Sequence, residues 1–274
     1  MILSTRGREV QVNGVRLHVE DHGTGPSVLM LHGWPDSSRL WRNQVPALVE
    51  AGFRVIAPDL RGFGQSDKPQ EVETYEIAAL LSDVVGITDA LGIDRTHVVG
   101  HDWGAALGWE MAIHVPERVD RLVVISVPHP AIPLTLDQRE KGWYRLFFMF
   151  EGIAEAWLQH DDWSLFREFL RGDGDMNRYL IDLSRPGALT ASLNWYRANL
   201  APSPPVPLPG LPPVTAPTLA IWSGGDHYLA EDRVVASERF VEADWCYQRI
   251  ENVGHWIPLD APDLLTDLLL NWLG

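Results

Sequence analysis

Cysteine is almost absent from this chain of 274 residues, which contains only Cys246. A single cysteine excludes a disulfide within the chain and favours a reducing compartment. Long apolar runs are missing as well, since none approaches the roughly 18 residues that span a bilayer. Residues 1–10 carry charges without an apolar centre, a pattern that does not fit a secretory signal. We therefore expect a cytoplasmic protein.

Basic charge is also scarce, because 22 Lys and Arg residues face 37 Asp and Glu residues and the formal net charge is −15. Such an acidic chain disfavours nucleic acid and membranes as partners. Repeats are lacking, and the nearest tract to low complexity is a proline-rich run at 201–213 that predicts a stiff connector. The composition is that of a globular protein, and a homodimer is left open.

Strands and helices alternate through most of the chain. Alternating apolar residues around Asn13-Gly14 predict a β-hairpin at 7–22. Apolar runs predict further strands at 27–31, 53–57, 96–100, 121–127, 218–222 and 245–251. Helical spacing predicts helices at 36–51, capped by Asp36, and at 75–91, 103–114 and 262–273. This order indicates an α/β fold with a mostly parallel sheet, in which ligands bind at the carboxyl ends of strands.

The alternation stops between residues 128 and 213, where the sequence is helical and aromatic and contains no clear strand. We interpret residues 1–127 and 214–274 as two parts of one α/β core. Residues 128–213 are then a helical lid inserted between them.

The segment 98–104 reads as an apolar strand that ends in a tight turn and enters a helix. Gly100 and Gly104 flank Asp102 at the centre of this turn. Small residues on both sides let the backbone turn sharply and project one side chain, as in a nucleophile elbow. Most esterases and lipases have serine at this position. The alternative is that Asp102 only caps the helix that follows.

An aspartate in this position changes the chemistry that the turn can support. A serine that attacked a saturated carbon would form an ether, which water does not readily cleave. A carboxylate forms an ester instead, and a second step can hydrolyse it. With a pKa of about 3.9 the carboxylate needs no activating base, so a histidine is free to activate water. We expect Asp102 to take up an alkyl group that is later released by hydrolysis.

Two further residues complete this predicted machinery. His255 follows Gly254 after the last predicted strand and fits a general base, whereas Asp226 follows an earlier strand and fits the acid that orients it. The order nucleophile, acid, base is that of α/β-hydrolases. The alternatives are a structural histidine and an aspartate that merely forms a turn.

The loop 31–35 follows the third strand and predicts an oxyanion hole. Its backbone can bring the N–H group of Trp34 towards the nucleophile, and the N–H group of Trp103 is the second expected donor. Pro35 is a candidate for a cis peptide bond. A plain turn is the alternative for this loop.

Four motifs together resemble the epoxide hydrolases of the α/β-hydrolase fold. They are His-Gly-Trp-Pro at 32–35, Gly-Phe-Gly-Gln-Ser at 62–66, Gly-His-Asp-Trp-Gly at 100–104 and Gly-His-Trp at 254–256. The resemblance covers nearly the whole chain. It implies a mostly parallel sheet flanked by helices, an inserted helical lid, and conversion of an epoxide to a vicinal diol through an aspartyl ester.

The resemblance also implies two lid tyrosines that hold the epoxide oxygen. Segments 143–148 and 193–197 match the two places, which assigns this role to Tyr144 and Tyr196. A phenol suits the role, because the alkoxide of an opened epoxide needs a proton and a departing halide does not. Residues 148–152 depart from the family's usual Phe-Gln-x-Pro-Gly. The alternative for Tyr144 and Tyr196 is that they are ordinary residues of an amphipathic lid.

Three other functions compete with epoxide hydrolysis. Haloalkane dehalogenases share His-Asp-Trp-Gly, but many have Asn where this chain has Trp34, and some have an acid where 125–127 contains none. Fluoroacetate-type dehalogenases have arginines where Trp103 and Ala106 stand. A ligand-binding protein would not need His255 as a base. We therefore expect an apolar epoxide and water as partners, with no cofactor and no metal.

Overall fold

A computed structural model describes residues 7–200 and 210–274, and its centre is an eight-stranded sheet. The strands are β1 Gly7–Val12, β2 Val15–His22, β3 Ser27–Leu31, β4 Arg54–Pro58, β5 Thr96–His101, β6 Val119–Ile125, β7 Thr218–Ser223 and β8 Trp245–Ile250. They lie in the order β1-β2-β4-β3-β5-β6-β7-β8. Only the pairings of β1 with β2 and of β2 with β4 are antiparallel, so the predicted mostly parallel α/β sheet is confirmed.

Each predicted strand is present with ends shifted by at most two residues, and the hairpin turns at Asn13-Gly14. The central strands β3, β5, β6 and β7 are buried at nearly every position. Continuous burial means that both faces of the sheet are covered, which explains why these strands read as apolar runs rather than as alternating patterns.

Helices of the core pack on the sheet and on one another. Those of the core are α1 Gln44–Glu50, α2 Ile77–Ala90, α3 Trp103–His114, α9 Glu231–Val235, α10 Ile257–Asp260 and α11 Pro262–Leu273. Helix α3 packs on β5 and β6, α2 packs on α3, and α1 packs on α11. The predicted bounds of α3 and α11 are those of the structure.

The prediction of one helix at 36–51 with Asp36 as its cap is wrong. The chain forms a 3₁₀ turn at Ser38–Trp41 and then the short helix α1. Asp36 caps neither. Its carboxylate is buried and accepts hydrogen bonds from Tyr179 and Trp256. The apolar spacing that suggested one helix therefore belongs to a 3₁₀ turn followed by a short α-helix.

Between β6 and β7 the described chain folds into helices, which we call the helical insertion. They are α4 Leu136–Lys141, α5 Trp143–Phe147, α6 Ile153–Leu170, α7 Met176–Leu183 and α8 Ala188–Asn199. A kink with left-handed backbone at Asp161, Asp162 and Trp163 divides α6. Most of the connector predicted at 201–213 and part of the predicted charged segment 1–10 lie outside the described residues. The boundaries drawn at residues 127 and 214 stay predictions.

None of the helices in the described ranges is long and apolar enough to cross a membrane. In the same ranges no group of three or more His, Cys, Asp or Glu side chains is arranged to hold a metal ion.

Candidate active site

The turn between β5 and α3 holds Asp102 in a backbone conformation that aspartate rarely adopts, with φ 52° and ψ −122°. Gly100 and Gly104 allow this turn, because a Cβ atom on Gly100 would collide with the backbone of Gly104 and one on Gly104 with the Leu31 carbonyl. Strain of this kind costs about 1–3 kcal/mol and persists only where the surroundings enforce it. The residue does not cap α3 through its side chain. The turn therefore projects the Asp102 carboxylate away from the helix.

The two oxygens of the Asp102 carboxylate face different partners. Oδ1 accepts a hydrogen bond of 2.9 Å from the backbone N–H of Trp34. Oδ2 lies 3.9 Å from Nε2 of His255. One oxygen is thus fixed by the loop after β3, and the other points to the predicted base.

Two loops at the carboxyl ends of β7 and β8 bring Asp226 and His255 together. Oδ2 of Asp226 lies 2.7 Å from Nδ1 of His255. Oδ1 accepts the backbone N–H groups of Tyr228 and Leu229, at 2.8 and 3.0 Å. Both oxygens of Asp226 are therefore occupied, which fixes the imidazole with Nε2 turned towards Asp102.

The electrostatics of these three groups are coupled. Burial lowers the pKa of His255, but the charges of Asp226 and Asp102 outweigh it and raise the pKa to about 9. Burial raises the pKa of Asp226, but His255 and the two backbone N–H groups bring it below its usual value. Burial raises the pKa of Asp102, and His255 with the N–H groups of Trp34 and Trp103 limits that rise. Near neutral pH the two acidic neighbours therefore favour the imidazolium form of His255.

The loop that carries Trp34 is fixed by buried polar contacts. Nε2 of His32 accepts the backbone N–H of Leu60 at 3.0 Å, so Nδ1 carries the proton and donates to the Gly33 carbonyl at 2.9 Å. The Trp34–Pro35 peptide bond, for which the sequence offered only a candidate, is cis. Gly33 leaves room for Asp102, because a Cβ atom there would collide with its carboxylate.

The helical insertion places both predicted tyrosines over Asp102. Tyr144 lies on α5 and Tyr196 on α8, both are buried, and their ring centroids are 6.0 Å apart. Among the described residues neither hydroxyl donates to a protein acceptor. Burial and the charge of Asp102 raise both tyrosine pKa values, so both phenols keep their protons at neutral pH. Two O–H donors that are unused within the described chain thus line the same cavity as the carboxylate.

A cavity of about 520 Å³ lies between the sheet core and the two tyrosines. Asp102, Trp103, Tyr144 and Tyr196 contribute to its wall. Most of the remaining wall is apolar, with Ile77, Val127, Pro128, Pro130, Ile132, Pro133, Leu134, Leu200 and Leu229. Its size is typical of pockets that bind small molecules.

The sequence analysis missed several residues of the site. A second, very small void of about 10 Å³ lies between Asp102 and His255, and Tyr228 and Phe169 line it as well. Nε2 of His101 donates a hydrogen bond of 3.0 Å to the backbone carbonyl of His255 and so helps to fix the backbone of the predicted base. The position of Tyr228 two residues after Asp226 is a signal that could have identified it.

Comparison with known proteins extends these observations to the whole chain. A family model described as α/β hydrolase fold matches residues 26–262. The chain is 35% identical over 283 residues to the AB hydrolase superfamily protein YfhM of Bacillus subtilis, with 96% of each protein covered. It is 31% identical over 320 residues to epoxide hydrolase A of Mycobacterium tuberculosis, covering 97% of this chain and 96% of that protein.

Solved structures agree with the sequence relatives. A structure of novel epoxide hydrolases from metagenomes of hot environments matches with a TM-score of 0.90 and 31% identity, covering 99% of both chains. An epoxide hydrolase of Bacillus megaterium, solved with an inhibitor, matches with a TM-score of 0.87 and 26% identity, covering 97% of this chain and 99% of that one. The chain belongs to the epoxide hydrolase family of the α/β-hydrolase fold.

Proposed function

We propose that this protein hydrolyses epoxides to vicinal diols through an ester on Asp102. One observation carries the proposal: the Asp102 carboxylate and the free hydroxyls of Tyr144 and Tyr196 line the same apolar cavity. An epoxide needs a nucleophile on one of its carbons and a proton donor on its oxygen. This arrangement offers both.

The contacts of Asp102 assign different tasks to its two oxygens. Oδ1 is held by the backbone N–H of Trp34, so Oδ2 attacks a ring carbon, while Tyr144 and Tyr196 bind the epoxide oxygen. The carbon–oxygen bond breaks, and a tyrosine gives its proton to the alkoxide. The product is a hydroxyalkyl ester whose carbonyl oxygen is Oδ1, already bound by the N–H of Trp34.

Ester formation also prepares the base. His255 begins protonated, because its pKa is about 9. The ester removes the negative charge that lay 3.9 Å from Nε2, and this loss lowers the pKa of His255. The proton that His255 then releases replaces the one given by the tyrosine. The imidazole becomes neutral and can accept a proton from water.

Hydrolysis of the ester uses the side of Asp102 that faces His255. The void of about 10 Å³ between the two residues is close to the space that one water molecule needs. His255, oriented by Asp226, takes a proton from this water as it attacks the ester carbonyl. The N–H groups of Trp34 and Trp103 stabilise the oxyanion, a contribution of roughly 3–4 kcal/mol per donor in comparable sites. The diol leaves, and Asp102 and His255 return to their charged states.

A contact in the same site weakens the haloalkane dehalogenase alternative. A departing halide needs free N–H donors. The indole N–H of Trp34 donates to Oγ of Ser192 on α8 at 3.2 Å, so it is already used.

The His255→Gln variant tests the proposal, because it should form the ester and fail to hydrolyse it. We would incubate it with styrene oxide, 1,2-epoxyhexane, 1-bromohexane and 1-chlorohexane and measure its intact mass. An added mass equal to a whole epoxide, absent from the Asp102→Ala control, is the expected result. An added hexyl group without halogen would assign the protein to the dehalogenases. Wild-type turnover of epoxides without any adduct in the variant would exclude the ester route.

A further inference from the structure

The cavity above Asp102 contains an unusual set of cations. Arg139 on α4, Arg145 on α5 and Arg233 on α9 all contribute to its wall, although the chain as a whole has a net charge of −15. Resting on the proposed epoxide hydrolysis, we propose that the preferred substrates are epoxides that also carry a carboxylate, which these arginines bind.

Arg233 is the most informative of the three, because it is only 8% exposed. Other buried arginines pair with carboxylates, such as Arg61 with Asp83 and Arg197 with Glu155. Arg233 instead donates to the carbonyls of Ile132 and Pro133 and to Gln138.

No carboxylate lies within ion-pair distance of Arg233 among the described residues. The segments 1–6 and 201–209 contain no Asp or Glu that could supply one. A buried charge without a counterion is costly, so its retention in a cavity wall points to an anionic ligand. Three of its five N–H donors are used within the chain, which leaves two for a ligand.

Arg139 and Arg145 lie closer to solvent, and the side chains of both lack any hydrogen bond or ion pair within the described chain. Arg145 directly follows Tyr144 on α5 and both residues line the same cavity, so a single ligand in that cavity can contact both side chains. Arg145 also lowers the pKa of Arg233, which is about 10 with burial as the largest cause. An anion between these arginines would relieve their repulsion.

Of the described residues in the cavity wall, only Asp102 and Glu110 carry carboxylates. Glu110 pairs with His114 at 3.2 Å and is not within ion-pair distance of an arginine. Asp102 would repel an anionic substrate, and the arginines offset that repulsion while leaving the nucleophile ionised. The apolar wall between the two charged regions fits a hydrocarbon body. The geometry therefore favours a substrate whose epoxide lies at Asp102 and whose carboxylate lies at the arginines.

Matched substrates test this inference directly. We would measure kcat/KM for 7,8-epoxyoctanoic acid and for its neutral primary amide at pH 7.5 and low salt. The wild type should prefer the acid by about 10-fold or more, the scale of a charge-assisted hydrogen bond. The preference should fall severalfold in the Arg139→Gln/Arg145→Gln variant, in which only Arg233 still binds the carboxylate, and an unchanged preference in this variant would contradict the assignment of Arg139 and Arg145. Arg233 stays in place because it holds the cavity wall.

The control is Arg239→Gln, which changes an exposed arginine that has no carboxylate partner and lies over Phe240, outside the cavity wall. It should keep the wild-type preference for the acid. A wild-type enzyme that hydrolyses both substrates equally, or prefers the amide, would overturn the inference and leave the proposed function intact.

Binding of an unreactive pair separates this inference from the proposed function. Octanoate and octanamide have no epoxide, and calorimetry reports their binding whether or not the protein hydrolyses any epoxide. Tighter binding of octanoate that is weakened in the double variant supports the carboxylate site even if epoxide turnover is absent. Equal binding of both compounds to the wild type contradicts it.

Discussion

The sheet core and the helical insertion hold their parts of the site in different ways. In the core, Asp102 and the loop that faces it are fixed by glycines whose replacement would bring atoms into collision. Most of the exposed large apolar side chains belong to the insertion, including Leu136, Trp143, Leu146, Phe150, Ile153, Trp157 and Ile181. Backbone geometry therefore positions the core residues of the site, whereas side-chain packing positions those of the insertion, which leaves part of its apolar surface exposed.

This difference matches a division of the proposed reaction. Ring opening needs Tyr144 and Tyr196 from the insertion, and ester hydrolysis needs Asp226 and His255 from the core. Asp102 takes part in both steps. Substitutions in one region should therefore impair one step and spare the other.

The largest effect should come from the insertion. Replacing Tyr144 and Tyr196 together with Phe removes both donors to the epoxide oxygen. Because proton donation typically contributes 10²–10⁴-fold, we expect ester formation to slow by roughly 10⁴-fold while the fold persists. Rapid mixing with excess enzyme, followed by mass analysis of the ester, measures this step.

Tyr247→Phe is a matched control, since it removes a hydroxyl that donates to Glu231 and does not line the cavity. It should leave ester formation at the wild-type rate. If the double variant forms the ester at a rate within tenfold of the wild type, the tyrosines have no part in ring opening. The proposed assignment of ring opening to the insertion would then be wrong.

The next largest effect should come from the core. Asp226→Asn keeps the shape of the residue but removes the negative charge that orients His255 and raises its pKa. We expect ester hydrolysis to slow by roughly 10³-fold, the middle of the range for general base catalysis, with ester formation changed much less. The ester should accumulate and be visible by mass. Asp232→Asn, an exposed carboxylate on α9, is the control and should not accumulate it. An Asp226→Asn enzyme that slows both steps equally would show that the two regions do not act separately.

The same difference explains what the sequence could predict. Residues that depend on the core backbone had clear local signals: glycines around Asp102, an apolar run before it, and Gly254 before His255. The structure brings all three predicted core residues together, with the two tyrosines above them. The tyrosines came only from resemblance, because the helices of the insertion have no local sequence pattern that marks which face lies over the site.

Other contacts had no sequence signal because they join distant segments. The hydrogen bonds of Asp36 come from Tyr179 and Trp256, which are 143 and 220 residues away. The lack of a carboxylate near Arg233 is likewise a property of the folded chain. No local spacing can report either one.

Asp36 lies where the two regions meet, and it gives the smallest of the expected effects. Its Oδ2 accepts the hydroxyl of Tyr179 from the insertion at 3.0 Å and the indole N–H of Trp256 from the core at 2.8 Å. Burial raises the pKa of Asp36 to about 7, despite these two hydrogen bonds. An unfolded Asp has a pKa of about 3.9. Between about pH 4 and pH 7 the folded protein therefore keeps a proton that the unfolded chain releases, and stability falls as pH rises through this window.

Asn in place of Asp36 can accept the same hydrogen bonds without ionising. We therefore compare the free energy of unfolding of Asp36→Asn with that of the wild type. The difference, variant minus wild type, should increase by about 2 kcal/mol or somewhat more between pH 5 and pH 8. Urea unfolding of both proteins at pH 5, 6, 7 and 8 measures this difference. Parallel pH profiles would mean that Asp36 is ionised throughout and that Tyr179 and Trp256 stabilise a buried carboxylate. The contact between insertion and core would then be an ionic hydrogen bond at every pH, and it would not weaken the fold as the solution becomes more alkaline.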